Sequence, residues 1–200
     1  MLVLAIDSCA SSCGVGVWLD GSWLFRSKEE MSRGQDARLL PMIMEAMGGA
    51  NKSFSDIDRI AVMRGPGSFT GVRVCLAAAR GIGLTLGKPV LGVDRFSVYG
   101  NMYSDEKALL VAIESRRAEK FCKYYPSSGD AHEACMMTVE EIDRFLKSNP
   151  DVRMVGDMTA KEEDDLAACV EIAVRADISD PDFAPRPLYI RLPDVTISKA

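Results

Sequence analysis

Arg64-Gly65-Pro66-Gly67-Ser68-Phe69-Thr70-Gly71-Val72-Arg73 separates a short apolar strand pattern from a long helical one. Gly65 and Gly67 permit backbone angles closed to other residues, and Pro66 presets one angle of a tight turn. Ser68 is a side-chain acceptor for the first free amides of a helix. The stretch predicts a strand end, a structural loop built on Gly65, Pro66, Gly67, Ser68 and Gly71, and a helix start. From Phe69 to Lys88 the following helix shows only Thr70, Arg73, Arg80, Thr85 and Lys88 as polar residues. At about 100° per residue Arg73 and Arg80 fall nearly on one line, so most of the circumference wants cover. One face is expected on the chain's own sheet and a second on another protein. Burial on every side within its own core is the alternative.

Outward from this stretch, the chain opens with an apolar strand over 2–6 ending at Asp7, a second over 14–19, an Asp20-Gly21 turn and a third over 22–26. Leu39, Leu40, Ile43, Met44 and Met47 recur at helical spacing, Pro41 removes a donor near that helix's start, and Gly48-Gly49 ends it. Strands are expected over 57–63 and 89–93. This order predicts an α/β lobe, 1–105, with a mixed sheet flanked by helices. The second half, 106–200, repeats the theme. A strand over 108–113 ends at Glu114, an Arg116-Arg117 turn follows, and strands are expected over 121–125, 134–137 and 152–155. Thr138 with Glu141 matches a capping box opening a helix to about Ser148. A tail rich in proline from Asp180 should be extended. Two lobes that begin alike suggest an internal duplication.

Two hundred residues, 48% hydrophobic and 26% charged, describe an ordered chain large enough for one domain or two small lobes. A net charge of -5 argues against binding nucleic acid unaided, since that rests on clustered cations neutralising phosphates. No apolar run is expected to reach the roughly 20 residues that span a bilayer, and no export signal is read, so the cytoplasm is the expected compartment. The six cysteines are expected reduced and buried, and a single histidine, His132, leaves no ordinary zinc set.

A glycine turn opening a helix can hold an anion, but a P-loop needs Lys and Ser or Thr where Val72 and Arg73 stand. A dinucleotide fingerprint needs glycine at Thr70, although Asp94 could imitate the ribose acid. Asp7 and Ser8 mark a possible degenerate phosphate site. Asp7 with Glu114 could hold magnesium through water, or Asp7 could cap its own turn. Ser8 and Ser68 have no nearby base. No metal site and no catalytic constellation emerge.

Ile6-Asp7-Ser8, Arg38-Leu39-Leu40-Pro41, the glycine stretch, Pro89-Val90-Leu91-Gly92-Val93 and Pro187-Leu188-Tyr189-Ile190-Arg191 closely resemble the TsaB (YeaZ) family, most strongly over the first 100 or so residues. The resemblance implies an actin-like (ASKHA, RNase H-like) duplicated two-lobe fold. It also implies a noncatalytic scaffold in making threonylcarbamoyladenosine, at the adenosine beside the anticodon of tRNAs reading codons that start with A. Catalysis would belong to a TsaD-like partner with a paired-histidine metal motif, a TsaE-like ATPase would assist, and tRNA would be met only through the complex. No cofactor of its own is implied, although nucleotide at the partner interface stays open. The implied docking surface spans the helices near 35–47 and 69–86, with Leu39, Leu40, Ile43, Met47, Phe69, Arg73, Ala77, Arg80, Gly81 and Leu84 as candidate contacts. An exposed apolar helix also predicts a homodimer in isolation. The departures from the family are Gln35 where relatives often carry histidine, and a stretch between Val174 and Pro187 that reads as too short for the helix preceding Pro-Leu-Tyr. The competing class is a small actin-fold nucleotide-binding enzyme, ATPase or kinase-like, or the glycoprotease that relatives were once labelled.

Overall fold

The computed structural model describes residues 1–115, 117–159 and 165–190. Strands β1 (Leu2–Asp7), β2 (Ser12–Leu19) and β3 (Ser22–Glu30) form the expected antiparallel meander. Helix α1 (Gln35–Gly49) leads to β4 (Arg59–Met63), the glycine loop, α2 (Phe69–Leu86) and β5 (Val90–Val93). β4 joins parallel to β1 and β5 parallel to β4, so the sheet runs β3-β2-β1-β4-β5. β1 is buried along its whole length, as a central strand covered on both faces must be.

After α3 (Arg95–Met102) come β6 (Leu109–Ile113), β7 (Lys120–Tyr125), β8 (Cys135–Met137), α4 (Val139–Ser148) and β9 (Arg153–Val155), and the second sheet runs β8-β7-β6-β9. β6 is antiparallel to β7, β7 to β8, and β6 is parallel to β9. That is the pattern of β3-β2-β1-β4 repeated, so the duplication read from the sequence is present in the topology. The capping box of α4 is formed in full, with Thr138 accepting from the Glu141 amide and Glu141 from the Thr138 amide.

A helix beyond β9 packs across the expected division at residue 105. Helix α5 (Asp165–Arg175) carries Leu166, Cys169, Val170 and Ala173 at helical spacing, and these join the core of the first sheet. α2 and α5 both pack over β1, β4 and β5, hence on opposite faces, with α1 beside α2. In the other direction, Phe96 and Tyr99 of α3 share a core with Leu109, Val111, Ile113 and Val155 of the second sheet. The two lobes therefore exchange a helix each instead of meeting at one linker. α5 ends at Arg175, and the stretch between Val174 and Pro187, read as too short for a helix, holds only a 3-10 turn beyond it. The tail contains a 3-10 turn at Pro181–Phe183 before it straightens. Arg116 and Arg191, both named in the sequence reading, lie outside the described residues.

Among the described residues one helix, α2, is long and apolar enough by length and composition to cross a bilayer, contrary to the sequence expectation. Here its inner face lies on the sheet, with 33% of its residues buried. The six cysteines are free thiols; Cys135 is exposed and the other five are buried.

Candidate functional site

The glycine loop is stacked against the turn between β1 and β2. The Ser68 amide donates to the Cys9 carbonyl at 2.7 Å, and Ser8 Oγ donates to the Gly71 carbonyl at 2.8 Å. A Cβ on Gly67 would stand 2.2 Å from the Cys9 carbonyl oxygen, and one on Gly71 1.8 Å from that of Ser8. These glycines are needed because backbone meets backbone, not to admit a phosphate. Gly65 has φ +92°, its carbonyl accepts from the Arg95 amide at 2.8 Å, and Pro66 beside it is buried. Ser68 caps α2 by accepting from the Gly71 amide at 3.3 Å. Two amides that an anion would need at this helix start are therefore already engaged.

Asp7 and Ser8, the possible phosphate site, serve the same joint. Asp7 Oδ1 accepts from the Cys9 amide at 2.8 Å, which is the turn-capping role, and Ser8 is fully buried. Glu114 does not join Asp7. It pairs with Lys120 at 2.6 Å. Asp94 caps α3 through the Ser97 amide at 2.9 Å and pairs with Arg64 at 3.4 Å. Cys9 faces Cys75, Sγ to Sγ 4.0 Å, and burial, then the neighbouring Cys75, pushes its thiol well above the ordinary range.

Where the two lobes meet, a cation is built in. Arg95 of α3 is 2% exposed and grips both oxygens of Asp157, at 2.5 and 3.1 Å. Asp157 also accepts from the Tyr99 hydroxyl at 3.1 Å and the Glu114 amide at 3.0 Å. Burial alone would push the Asp157 carboxyl up, but the Arg95 charge and these hydrogen bonds outweigh it and hold it below the usual range. Among the described residues no group of three or more His, Cys, Asp or Glu could hold a metal ion.

The two-helix face is the other candidate. Leu39, Ile43 and Met47, expected at a partner interface, are 1–2% exposed and face the chain's own core. The stripe on α1 is wide, and its outward edge is Leu40 and Met44, 54% and 69% exposed. On α2 the inner face is Gly71, Val72, Cys75, Leu76, Ala79 and Gly83. Phe69, Arg73, Ala77, Arg80, Gly81 and Leu84 are exposed, Leu84 at 87%. A Cβ on Gly81 would meet nothing within 4 Å. At the start of α2 the chain's own tail intervenes: Tyr189 accepts from Arg73 Nε at 3.1 Å and stands 5.7 Å from the Phe69 ring, over which Arg73 lies at 3.8 Å. The backbone ties this tail down, with the Leu188 amide donating to the Arg64 carbonyl at 2.9 Å.

The family model for TsaD, tRNA N6-adenosine threonylcarbamoyltransferase, matches residues 28–180. The chain belongs to this family, among its TsaB (YeaZ) relatives. It is 33% identical to the tRNA threonylcarbamoyladenosine biosynthesis protein TsaB of Escherichia coli K12 over 128 residues, 62% of this chain and 55% of that protein. The protein of the same name from Buchnera aphidicola subsp. Schizaphis graminum is 24% identical over 151 residues, 74% of this chain and 70% of that protein. The chain thus matches little more than half the length of the Escherichia coli relative. YeaZ from Pseudomonas aeruginosa superposes with a TM-score of 0.70 at 20% identity, covering 94% of this chain and 99% of that one. The actin-like two-lobe fold expected from the resemblance is thereby borne out.

Arg95, Asp157, Tyr99 and Asp165 carry no signal in the sequence, because Arg95 and Asp157 stand 62 positions apart and no spacing links them. Tyr189 lies inside a recognised motif, but nothing local points it at Phe69 and Arg73.

Proposed function

We propose that this chain is a noncatalytic subunit that docks on a TsaD-like catalytic protein, with a TsaE-like ATPase assisting, and enables threonylcarbamoyl transfer to N6 of the adenosine beside the anticodon. It reaches tRNA only through that assembly, works in the cytoplasm, and pairs with a copy of itself when alone. The observation that carries this reading is the outer face of α2 with its neighbour α1. Leu40, Met44, Ala77, Gly81 and Leu84 are exposed, apolar or small, and lie on helices whose other faces are rooted in the core. Small residues at helical spacing let a second helix approach closely, and Arg73 and Arg80 flank them.

The enzyme reading is less well supported, because each group it would need is otherwise employed. Asp7 caps its turn, the Ser68 amide is bonded, and Glu114 is paired. The test is light scattering of the Gly81→Arg chain, alone and mixed with a TsaD-like protein, beside a melting curve. Because Gly81 has open space around it, the variant should melt as the parent does and form neither assembly. Retention of both assemblies would refute the docking face.

A further inference from the structure

Among the described residues, the junction of the two lobes gathers three carboxylates around one buried cation. Asp7 comes from the end of β1, Asp157 from the segment after β9 and Asp165 from the first turn of α5, while Arg95 of α3 supplies the guanidinium. The three carboxylates are not equally supported. Asp157 takes both arms of Arg95, the Tyr99 hydroxyl and the Glu114 amide. Asp7 holds the Cys9 amide. Asp165, among the described residues, has a looser ion contact to Arg95 at 3.8 Å, and its side chain is 15% exposed.

We propose that this junction is a proton-governed clasp, in which neutral Asp165 seats the first turn of α5 against α3 and ionised Asp165 loosens it. The cause is electrostatic. With Asp7 and Asp157 charged, a third charge in the same poorly solvated place meets two repulsions and one attraction that Asp157 already shares. Burial first, and then Asp7 and Asp157, push the Asp165 carboxyl up to about 6, against the opposing pull of Arg95 and Lys28.

Charged and titratable groups face α5 from several elements. α3 offers Arg95 and Tyr99, β1 offers Asp7, and β3 contributes Lys28 at longer range. β4 offers Arg59, which donates to the carbonyls of Ala173, Val174 and Ala176 at the far end of the helix. β2 has no ionisable side chain but Cys13, and β5 has none. On α5 itself, Cys169 lies near, and Glu171 accepts from Asn101 of α3 at 3.2 Å.

The consequence is directional. A carboxyl whose folded value lies at about 6 against an ordinary 3.8 favours the closed turn when protonated. If opening frees Asp165 to water, the opening equilibrium of that turn rises by about tenfold between about pH 5 and pH 8.

The experiment is carboxyl-detected NMR of the full chain labelled at aspartate, with amide exchange of α5 corrected for the intrinsic pH dependence. One carboxyl, assigned to Asp165, should titrate near 6. The amides of Leu166 to Ala168 should shift with the same midpoint, and the protection of the amides of Cys169 to Glu171, which close the first turn onto the carbonyls of residues 165 to 167, should fall by about tenfold on the alkaline side. In Asp165→Asn the titration should vanish and protection should stay flat. The proposal is overturned if the carboxyl titrating near 6 belongs to Asp7 or Asp157, if the α5 amides ignore the titration in the parent chain, or if Asp165→Asn keeps the pH dependence.

Discussion

Gly71 and Gly81 sit on the same helix, and replacing each by alanine should change stability in opposite directions. At Gly71 the new Cβ would stand 1.8 Å from the Ser8 carbonyl oxygen and 3.0 Å from its carbon. To restore even a 3.0 Å separation the two backbones must part by at least about 1.2 Å. That motion breaks the 2.8 Å bond from Ser8 Oγ to the Gly71 carbonyl and strains the 2.7 Å bond from the Ser68 amide to Cys9. Overpacking costs about 1–3 kcal/mol, and each buried hydrogen bond lost about 1 kcal/mol more, against about 1 kcal/mol gained in helix propensity. The net loss should be about 1–3 kcal/mol. At Gly81 the Cβ enters open space, so only the propensity gain of about 0.5–1 kcal/mol remains. Equilibrium unfolding in urea, at several protein concentrations to separate self-association from folding, reads both. A Gly71→Ala chain within 1 kcal/mol of the parent, or one more stable than Gly81→Ala, would refute the close backbone packing argued for this loop.

Three further outcomes are expected. Asp165→Asn should stabilise the chain by up to about 3 kcal/mol above pH 6, because the folded carboxyl lies about two units above its ordinary value; the penalty it removes builds between about pH 4 and pH 6 and is absent below. The difference between variant and parent melts across that range isolates this effect, and a difference that grows toward acid would contradict its sign. Arg95→Met should cost about 3–5 kcal/mol, since it strips the partner from a buried Asp157 carboxylate, and Asp157→Asn in the same chain should recover part of the loss in urea unfolding. Leu84→Asp should leave the melting temperature unchanged, because Leu84 is 87% exposed, yet weaken self-association by about 10- to 100-fold in sedimentation, the effect of failing to bury one leucine.

The parts of the fold legible in the sequence are those marked by local chemistry. Gly65 to Gly71 announces a turn and a cap, Asp20-Gly21 a hairpin, and Thr138 with Glu141 a helix start, and all three form as read. α3 escaped because its eight residues include Ser97, Gly100 and Asn101, which carry little helical preference, and Asp94 reads as a ribose acid until its role as a cap is visible. α5 went unread although Leu166, Cys169, Val170 and Ala173 carry a helical period; what the sequence does not carry is its destination, since only the tertiary fold shows that β1 and β4 need a second cover.

The face of α1 was misphased for a different reason. Leu39, Leu40, Ile43, Met44 and Met47 make one broad stripe, and periodicity alone does not say which edge meets the sheet. The arrangement around Arg95 joins four elements through charge, which no spacing rule reaches.

The most direct measurement of the proposed role is threonylcarbamoyladenosine formation on tRNA by a TsaD-like protein and a TsaE-like ATPase, with and without this chain and with its Leu84→Asp variant. The parent chain should raise the yield without turning over substrate when assayed alone, and the variant should fold normally and raise it far less. No increase at saturating parent chain, or turnover by the purified chain alone that is lost in Asp7→Ala, would contradict the reading of a noncatalytic docking subunit.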